Sequence, residues 1–443
     1  MDFSQYSIAA ASTITVYVAY LLFRRSRNLR DIPGPLSPSW LFEEEHKRLR
    51  TALNNGFSAS AVRTYLPIFE RVAQTLTEQF DHFGGEASAN LLPSLGRATL
   101  STVTQAALGL SLDELGDEFI STNLLMMNMA GAPSPTKILQ DAIMAFMPNA
   151  IRNFGRHLPI EPFKSLDKAR FLSDKIGKSV IRDIRKAKSQ GLDGVGAFYD
   201  QLVDRLQTNS LTEYDILEQT SLLLLAGQDT TANTLSFGFL ELARNVEFQS
   251  QLREEIHASL GAGGGAAAYD NMPLLNAFLK ETLRMYPAVS LSDRTAVQDH
   301  ILPLSQPMMT TDGKQITEIP ITKGQVVYLA SGEYQRFDQF LLSQSRWGED
   351  AHEFKPSRWL QDGPAHKGDS VGVYANLLSF YGGPRVCLGL LEMQVFVSEL
   401  VGKFEFSLPI GDKSQTVCRV AFTLQPTLAD GEKGALLAVK RVV

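Results

Sequence analysis

The chain has 443 residues, of which 44% are hydrophobic and 20% are charged, and its formal net charge is -6. This composition supplies enough apolar side chains for one large domain or two ordinary ones, and it excludes an intrinsically disordered protein. The negative charge gives no general support for nucleic-acid binding, and two cysteines, Cys387 and Cys418, are too few for a disulfide framework.

The first predicted element is an apolar segment, SIAAASTITVYVAYLLF, at residues 7–23, which contains no charged side chain. The basic run RRSRNLR follows it, and this order is the reverse of a cleaved signal peptide. Positive charges stay on the cytoplasmic side of a membrane. The pattern therefore predicts a single-pass anchor with its basic flank over residues 1–30, and the rest of the chain in the cytoplasm. An ordinary buried helix is the alternative.

A proline-rich segment, DIPGPLSP, follows the anchor and predicts a stiff hinge over residues 31–42. Residues 43–443 are then predicted to form one large domain. Apolar residues recur at helical spacing from the hinge to about Pro287, notably over residues 90–110 and Leu166–Lys188. The first part of this domain is therefore predicted to be mostly helical.

The longest predicted helix covers Leu211–Asn245 and is largely apolar along its middle. Thr212 is its predicted N-cap, and Asp215 completes a capping box. A helix of this composition is expected to run through the core of the protein.

The segment GAGGGAAA, Gly261–Ala268, predicts a flexible connector. Strand signals begin at Ile316, with residues 324–332 as one strand and residues 419–443 as strand, turn and strand. The predicted fold class is mainly α with a minor β portion.

The segment FYGGPRVCLG, Phe380–Gly389, presents a single cysteine after a glycine pair and an arginine. One cysteine cannot build a zinc or iron–sulfur site, but it can supply the axial thiolate of a haem iron. A helix that begins near Cys387 would direct free N–H groups at the sulfur atom. A buried, inert cysteine is the alternative. The residues expected to contact the haem are Phe380, Gly383, Arg385, Cys387 and Gly389.

The pattern Phe-x-x-Gly-x-Arg-x-Cys-x-Gly resembles the haem-ligand signature of cytochrome P-450 monooxygenases, and all five specified positions are present. The resemblance implies the P-450 fold and a haem b cofactor whose iron has an axial thiolate. It also implies insertion of one oxygen atom from O2 into an apolar small molecule, in fungal secondary metabolism such as terpenoid biosynthesis. The implied partners are an NADPH–cytochrome P-450 reductase and the endoplasmic reticulum membrane. A catalytically inactive, membrane-anchored relative is the alternative.

The same resemblance assigns roles to the motif AGQDTT in the middle of the long helix. The small residues Ala226 and Gly227 are expected to open the helix and to form a groove against the haem. Asp229 and Thr230 correspond to the acid–threonine pair that delivers protons to dioxygen in the family. A kinked helix with a solvated acid is the alternative.

Two further sets of residues follow from the resemblance. Glu281 and Arg284 lie three residues apart on one helix face, and Arg358 is the third member of a network expected to fix the ligand loop. The candidate partners of the haem propionates are His46, Arg50 and Arg294, with ordinary surface charges as the alternative.

The chain departs from the family pattern in three places. Between the hinge near Trp40 and EEHKRLR there are about two residues where the family has about a hundred, so the N-terminal β-sheet and first helices are predicted to be largely missing. This predicts an incomplete or mis-spliced form of a working enzyme. The segment FDQFLLSQ, Phe337–Gln344, is an apparent insertion. Between Cys387 and Glu392 about four residues are missing, which rotates the helix face by about 40°.

Overall fold

The computed structural model describes residues 48–83, 88–129, 161–191, 197–208, 211–261, 265–336, 347–360, 374–381, 386–409, 416–421 and 423–442, with the isolated residues 139, 143 and 147. The predicted anchor and hinge, the segment Phe337–Gln344, and the site candidates His46, Gly383 and Arg385 lie outside the described residues. The chain divides into two compact units, of which the smaller is built around Ser292–Leu329.

The larger unit contains the helices. They are α1 (Ala59–Thr64), α2 (Leu66–Asp81), α3 (Leu91–Leu108), α4 (Leu112–Leu115), α5 (Asp117–Met129), α6 (Glu161–Ser189), α7 (Ala197–Gln207), α8 (Glu213–Arg244), α9 (Val246–Gly261), α10 (Gly265–Asp270), α11 (Pro273–Met285), α12 (Ser331–Arg336) and α13 (Val386–Lys403). Residues 48–54 are also helical, and short 3-10 helices cover Asn55–Phe57 and Pro356–Trp359. The mainly α fold class is therefore confirmed.

The strands form small antiparallel sheets. In the smaller unit, β2 (Ser292–Thr295) pairs with β5 (Val326–Leu329), and β3 (His300–Met309) pairs with β4 (Gln315–Ile321). In the larger unit, β1 (Ser88–Asn90) and β6 (Phe404–Ser407) flank β9 (Leu436–Arg441). A hairpin joins β7 (Val417–Val420) to β8 (Leu424–Thr427).

The long helix α8 has the predicted N-terminus. The side chain of Thr212 accepts a hydrogen bond from the backbone N–H of Asp215, and the Asp215 carboxylate accepts one from the N–H of Thr212. Every residue from Thr231 to Ala243 is buried. A helix that is buried on all sides needs apolar residues on every face, and this explains the apolar sequence of its second half.

Two local predictions were wrong. Gly265–Asp270 is helical, although Gly261–Ala268 was predicted to be a flexible connector. The alanines favour a helix, and Tyr269 anchors it by lying buried in the core. Three strands, Ser88–Asn90, Ser292–Thr295 and His300–Met309, precede the predicted start of strand structure at Ile316, and residues 417–441 contain three strands where two were expected.

Within the described ranges, no helix is both long enough and apolar enough to cross a bilayer. The segment predicted to do so, residues 7–23, is not part of those ranges.

Candidate active site

A cavity lies in the larger unit between the middle of α8 and the first turns of α13. The volume of the cavity that a water-sized molecule can reach is about 200 Å³. Most of its described lining is apolar. Its walls include Ala226, Gly227, Thr230, Phe380 and Gly389, all of which were candidates from the sequence. The structure thus brings the AGQDTT motif and the cysteine motif to one site.

Gly227 allows α8 to lie close to α3. A Cβ atom at this position would lie 2.4 Å from Cγ2 of Val103, so any side chain would force the two helices apart. The structure shows one continuous α-helix from Glu213 to Arg244, without the break expected at Ala226 and Gly227. The small residue serves close helix packing on one side and leaves space in the cavity on the other.

Thr230 presents its hydroxyl group on the cavity wall. Its Oγ1 donates a hydrogen bond to the backbone oxygen of Ala226 at 3.0 Å, one turn earlier in α8. Bonds of this kind hold a threonine side chain against its own helix while its oxygen remains able to accept a hydrogen bond. The hydroxyl is therefore positioned to contact a molecule in the cavity.

Asp229, next to Thr230 in the sequence, pairs with Lys433. Its Oδ2 lies 3.5 Å from Nζ of Lys433, in the segment before β9, and both side chains are mostly buried. Asp229 is not among the described residues that line the cavity. The acid and the threonine of the motif therefore have different environments, although they are adjacent in the sequence.

Cys387 lies in the first turn of α13, which begins at Val386. This confirms the predicted helix start. The first N–H groups of a helix have no intrahelical acceptor, so they favour a negative charge on a nearby sulfur atom. Cys387 is half-buried and packs against the core together with Phe380 and Leu388, whereas Cys418 is exposed in β7.

Phe380 packs against the start of α13. A Cβ atom on Gly389 would lie 3.5 Å from Cε1 of its ring, so the two residues are in van der Waals contact. The backbone of Tyr381, directly after Phe380, has a positive φ of 51°. This conformation is uncommon for a residue with a side chain.

Glu392 is an acidic residue on the cavity wall and is only 1% exposed. The hydroxyl groups of Thr102 on α3 and Thr231 on α8 hydrogen-bond to its carboxyl group. Burial raises the pKa of this carboxyl group to about 8, although the two hydrogen bonds lower it. The Glu392 side chain is therefore largely neutral at pH 7.

A buried ion-pair network contains the three predicted residues Glu281, Arg284 and Arg358. Nε of Arg284 lies 2.8 Å from the Glu281 carboxylate, and Nε of Arg358 lies 3.1 Å from it. The indole N–H of Trp359 and the backbone N–H of Lys355 also donate to this carboxylate, at 2.8 and 2.7 Å. Five N–H groups from four residues donate to the carboxylate, and these bonds compensate for burying its negative charge in the core.

Gln335, on α12, connects the end of α11, which carries Glu281 and Arg284, to residues 378–380 at the start of the cysteine motif. Its amide nitrogen donates to the backbone oxygen of Arg284 at 3.1 Å, and its Oε1 accepts from the backbone N–H of Leu378 at 2.6 Å. Ser379 donates to the backbone oxygen of Leu283 at 2.6 Å. These bonds fix the backbone immediately before Phe380.

The other two described candidates are Arg50 and Arg294. Arg50 is exposed in the helical residues 48–54. Arg294 is exposed on β2 of the smaller unit, where its Nη1 donates to the backbone oxygen of Asp293. A neighbouring residue, Arg48, pairs with Asp215 at the N-terminus of α8, at 3.2 Å.

Sequence reasoning did not identify the apolar lining of the cavity outside the two motifs, and it also missed the polar residues Thr102, Gln335 and Lys433 and the position of Glu392 on the cavity wall. The position of Glu392 had one signal in the sequence. The missing residues between Cys387 and Glu392 predict a rotation of the helix face that carries Glu392. Thr102, Gln335 and Lys433 have no local signal, since their partners lie far away in the sequence.

The types of residue around the cavity are compatible with a flat cofactor held through one sulfur atom. The facing walls carry small residues, Ala226 and Gly227 on α8 and Gly389 on α13, and Cys387 is next to a lining residue, Leu388. Within the described part of the chain, no group of three or more histidine, cysteine, aspartate or glutamate residues could hold a metal ion. A haem iron needs only one axial thiolate from the protein.

Comparison with known proteins gives consistent matches. The family model described as Cytochrome P450 matches residues 40–430. Cytochrome P450 monooxygenase 91 of Postia placenta is 34% identical over 436 residues, which is 90% of this chain and 77% of the relative. Cytochrome P450 monooxygenase 219 of the same fungus is 33% identical over 90% of this chain and 77% of the relative. A ganoderic acid synthetase of Ganoderma lucidum is 30% identical over 84% of this chain and 73% of the relative.

Proposed function

Because this chain belongs to the cytochrome P450 family, we propose that it is a haem-dependent monooxygenase that inserts one oxygen atom from O2 into an apolar small molecule. The observation that carries this proposal is the cavity between α8 and α13, where the residues of both sequence motifs meet beside Cys387. The apolar lining supports an apolar substrate. The relative named a ganoderic acid synthetase supports a substrate from secondary metabolism, such as a terpenoid.

Cys387 would hold the haem iron through its thiolate, with the N–H groups of the first turn of α13 stabilising the sulfur charge. Ala226, Gly227 and Gly389 would leave room for the macrocycle, and Phe380 would shield the sulfur from water. Arg385, His46, Arg50 and Arg294 are the proposed partners of the propionates. Haem b, when bound, supplies the activation of O2, and its thiolate ligand favours O–O cleavage.

Thr230 would orient the oxygen species in the cavity through its hydroxyl group. The oxygen of Thr230 can accept a hydrogen bond while its proton is held by the backbone oxygen of Ala226, at 3.0 Å. Asp229, whose Oδ2 lies 3.5 Å from Nζ of Lys433, would exchange protons with solvent. The network of Glu281, Arg284 and Arg358 would hold the ligand loop in place without contacting the substrate.

We propose further that residues 1–30 anchor the chain in the endoplasmic reticulum membrane, that residues 31–42 are a hinge, and that residues 43–443 are the haem-thiolate domain in the cytoplasm. Electrons would come from an NADPH–cytochrome P-450 reductase. Deletion of residues 7–23 should release protein into the soluble fraction. Protection of the C-terminus from protease in intact microsomes would contradict this topology.

We also propose that a complete form of the enzyme contains about a hundred more residues between the hinge and the helical residues 48–54, as a compact domain of this family requires. Full activity is expected for that form. A catalytically inactive relative is the competing function, and the shortened spacing between Cys387 and Glu392 is the observation that favours it.

The test compares two cysteine variants. The purified protein is reduced, carbon monoxide is added, and the red-shifted Soret band of thiolate ligation is recorded. Cys387→Ser should abolish this band, whereas Cys418→Ser, a matched control at the exposed cysteine, should retain it. Identical spectra for the two variants would reject the ligand assignment, and absence of the band in the unmodified protein would favour the inactive relative.

A further inference from the structure

A groove between α2 and α3 shares none of its described lining residues with the cavity. Its two walls carry the same residue types at the same spacing. An arginine is followed four positions later by a residue with a hydroxyl group, and a glutamine follows four positions after that. These residues are Arg71, Thr75 and Gln79 on α2, and Arg97, Ser101 and Gln105 on α3. Residues four apart lie on one face of a helix, so each helix presents one polar stripe to the groove.

The two stripes run in opposite directions. Residues 82–90 connect the end of α2 to the start of α3, so α3 returns alongside α2. Arg71, near the start of α2, lines the groove together with Leu112, which follows the end of α3. The arginine and the glutamine of each stripe are about 12 Å apart along the helix axis. The groove therefore has an arginine towards each end and the hydroxyl groups of Thr75 and Ser101 in its middle.

The groove carries two positive charges that no described carboxylate neutralises. Arg71 and Arg97 are exposed, and within the described ranges neither guanidinium group forms an ion pair. The described lining contains no acidic side chain. Glu78, next to Gln79 in the sequence, is exposed and is not among those lining residues. The described walls therefore attract an anion and do not repel one.

The uncharged side chains add hydrogen-bond donors between the two arginines. Nε2 of Gln105 donates to Oγ of Ser101 at 2.9 Å, so the hydrogen atom of the Ser101 hydroxyl group remains able to donate. The side-chain amide of Gln79 has no hydrogen bond to another described residue, and its two N–H groups are therefore available as well. Thr75 differs, because its hydroxyl group donates to the backbone oxygen of Arg71 at 3.2 Å.

We propose that this groove binds a small anion of the diphosphate class, which carries negative charge at both ends. One arginine would bind each phosphate group through bidentate hydrogen bonds, and Ser101 and Gln79 would donate to further oxygen atoms. A single phosphate ion would bind one arginine at a time, because the two arginines lie towards opposite ends of the groove. A water-sized molecule can reach about 180 Å³ of the groove, which gives room for a small anion.

The test measures the line width of the ³¹P magnetic resonance signal of inorganic pyrophosphate mixed with the full chain, without divalent cations and at constant ionic strength. Two bidentate contacts at an exposed site should give half-saturation at about 1 mM, and inorganic phosphate should bind about tenfold more weakly. Arg71→Gln and Arg97→Gln should each weaken pyrophosphate binding by about tenfold, because each removes the partner of one phosphate group. Arg182→Gln, a matched control at an exposed arginine on α6, should leave the binding unchanged.

Two results would overturn the proposal. One is equal affinity of the unmodified protein for pyrophosphate and phosphate, and the other is pyrophosphate binding that persists when both arginines of the groove are replaced by glutamine. Arg71→Lys retains the positive charge, so it should bind pyrophosphate more tightly than Arg71→Gln, and equal affinities of these two variants would reject Arg71 as a ligand of the anion. The measurement uses no haem signal, so its outcome is independent of the proposed monooxygenase function.

Discussion

Replacing Glu392 by glutamine should stabilise the protein, and the gain should grow as the pH rises. Burial raises the pKa of this carboxyl group from 4.5 to about 8. Between these values the folded state holds one proton more than the unfolded state, so the stability conferred by this group is complete below pH 4.5 and is lost as the pH rises towards 8. Glutamine does not titrate, and its amide oxygen can still accept a hydrogen bond from the Thr102 hydroxyl group.

The magnitude follows from the two pKa values. Each tenfold change in proton concentration is worth about 1.4 kcal/mol. The free energy of unfolding of Glu392→Gln should exceed that of the unmodified protein by about 1 kcal/mol at pH 5, about 3 kcal/mol at pH 7 and about 4 kcal/mol at pH 8. Urea denaturation followed by far-ultraviolet circular dichroism would measure the difference at each pH.

The control for this measurement is Glu78→Gln on α2, which should leave the pH dependence of the unmodified protein in place because Glu78 is exposed. Parallel unfolding curves for Glu392→Gln and the unmodified protein at all pH values would refute the reasoning. That result would mean that Glu392 carries its charge in the folded state.

Three other changes test separate parts of the site. Gly227→Ala should lower the free energy of unfolding by about 1–3 kcal/mol, because its Cβ atom would lie 2.4 Å from Val103. Adding Val103→Ala should recover part of this loss. Thermal unfolding of the single and double variants would measure the recovery. Glu281→Gln should cost about 3–5 kcal/mol, because the buried charge of Arg284 loses the carboxylate that it pairs with, whereas Arg358 retains its ion pair with Asp350. A urea midpoint equal to that of the unmodified protein would show that the network is dispensable. Thr230→Ala should retain the carbon monoxide spectrum but divert reducing equivalents into peroxide, which is measured as peroxide and product per NADPH; unchanged coupling would argue against a role in positioning oxygen.

The sequence predicted those parts of the fold whose causes are local. The capping box of Thr212 and Asp215, the apolar middle of α8 and the helix start at Val386 depend on residues within one or two turns of each other. Their hydrogen bonds and periodicity are therefore visible in a short window of sequence. The exception was Gly265–Asp270, where local glycines suggested flexibility but burial of Tyr269 stabilised a helix.

The parts that could not be predicted depend on contacts between distant segments. Asp229 pairs with Lys433, and Glu392 lies between Thr102 and Thr231 because three helices converge there. Neither hydrophobic periodicity nor a short motif predicts contacts between residues this far apart in the sequence. The resemblance to a family placed Asp229 in the reaction as its acid, whereas only the described geometry showed that Glu392 lies on the cavity wall.

The sheet formed by β1, β9 and β6 has a consequence for the order of folding. β9 is the central strand, and its partner β1 lies near the other end of the described chain, with Ser88 opposite Ala438. Ribosomes add about 5–20 residues per second, so tens of seconds separate the synthesis of β1 from that of β9. Throughout this interval β1 has no neighbour, and Asn90, which caps α3 and binds the backbone of Ala435, lacks that contact. The N-terminal end of α3 is therefore completed only after translation has passed β9, and a nascent chain arrested before Leu436 should expose it to proteolysis.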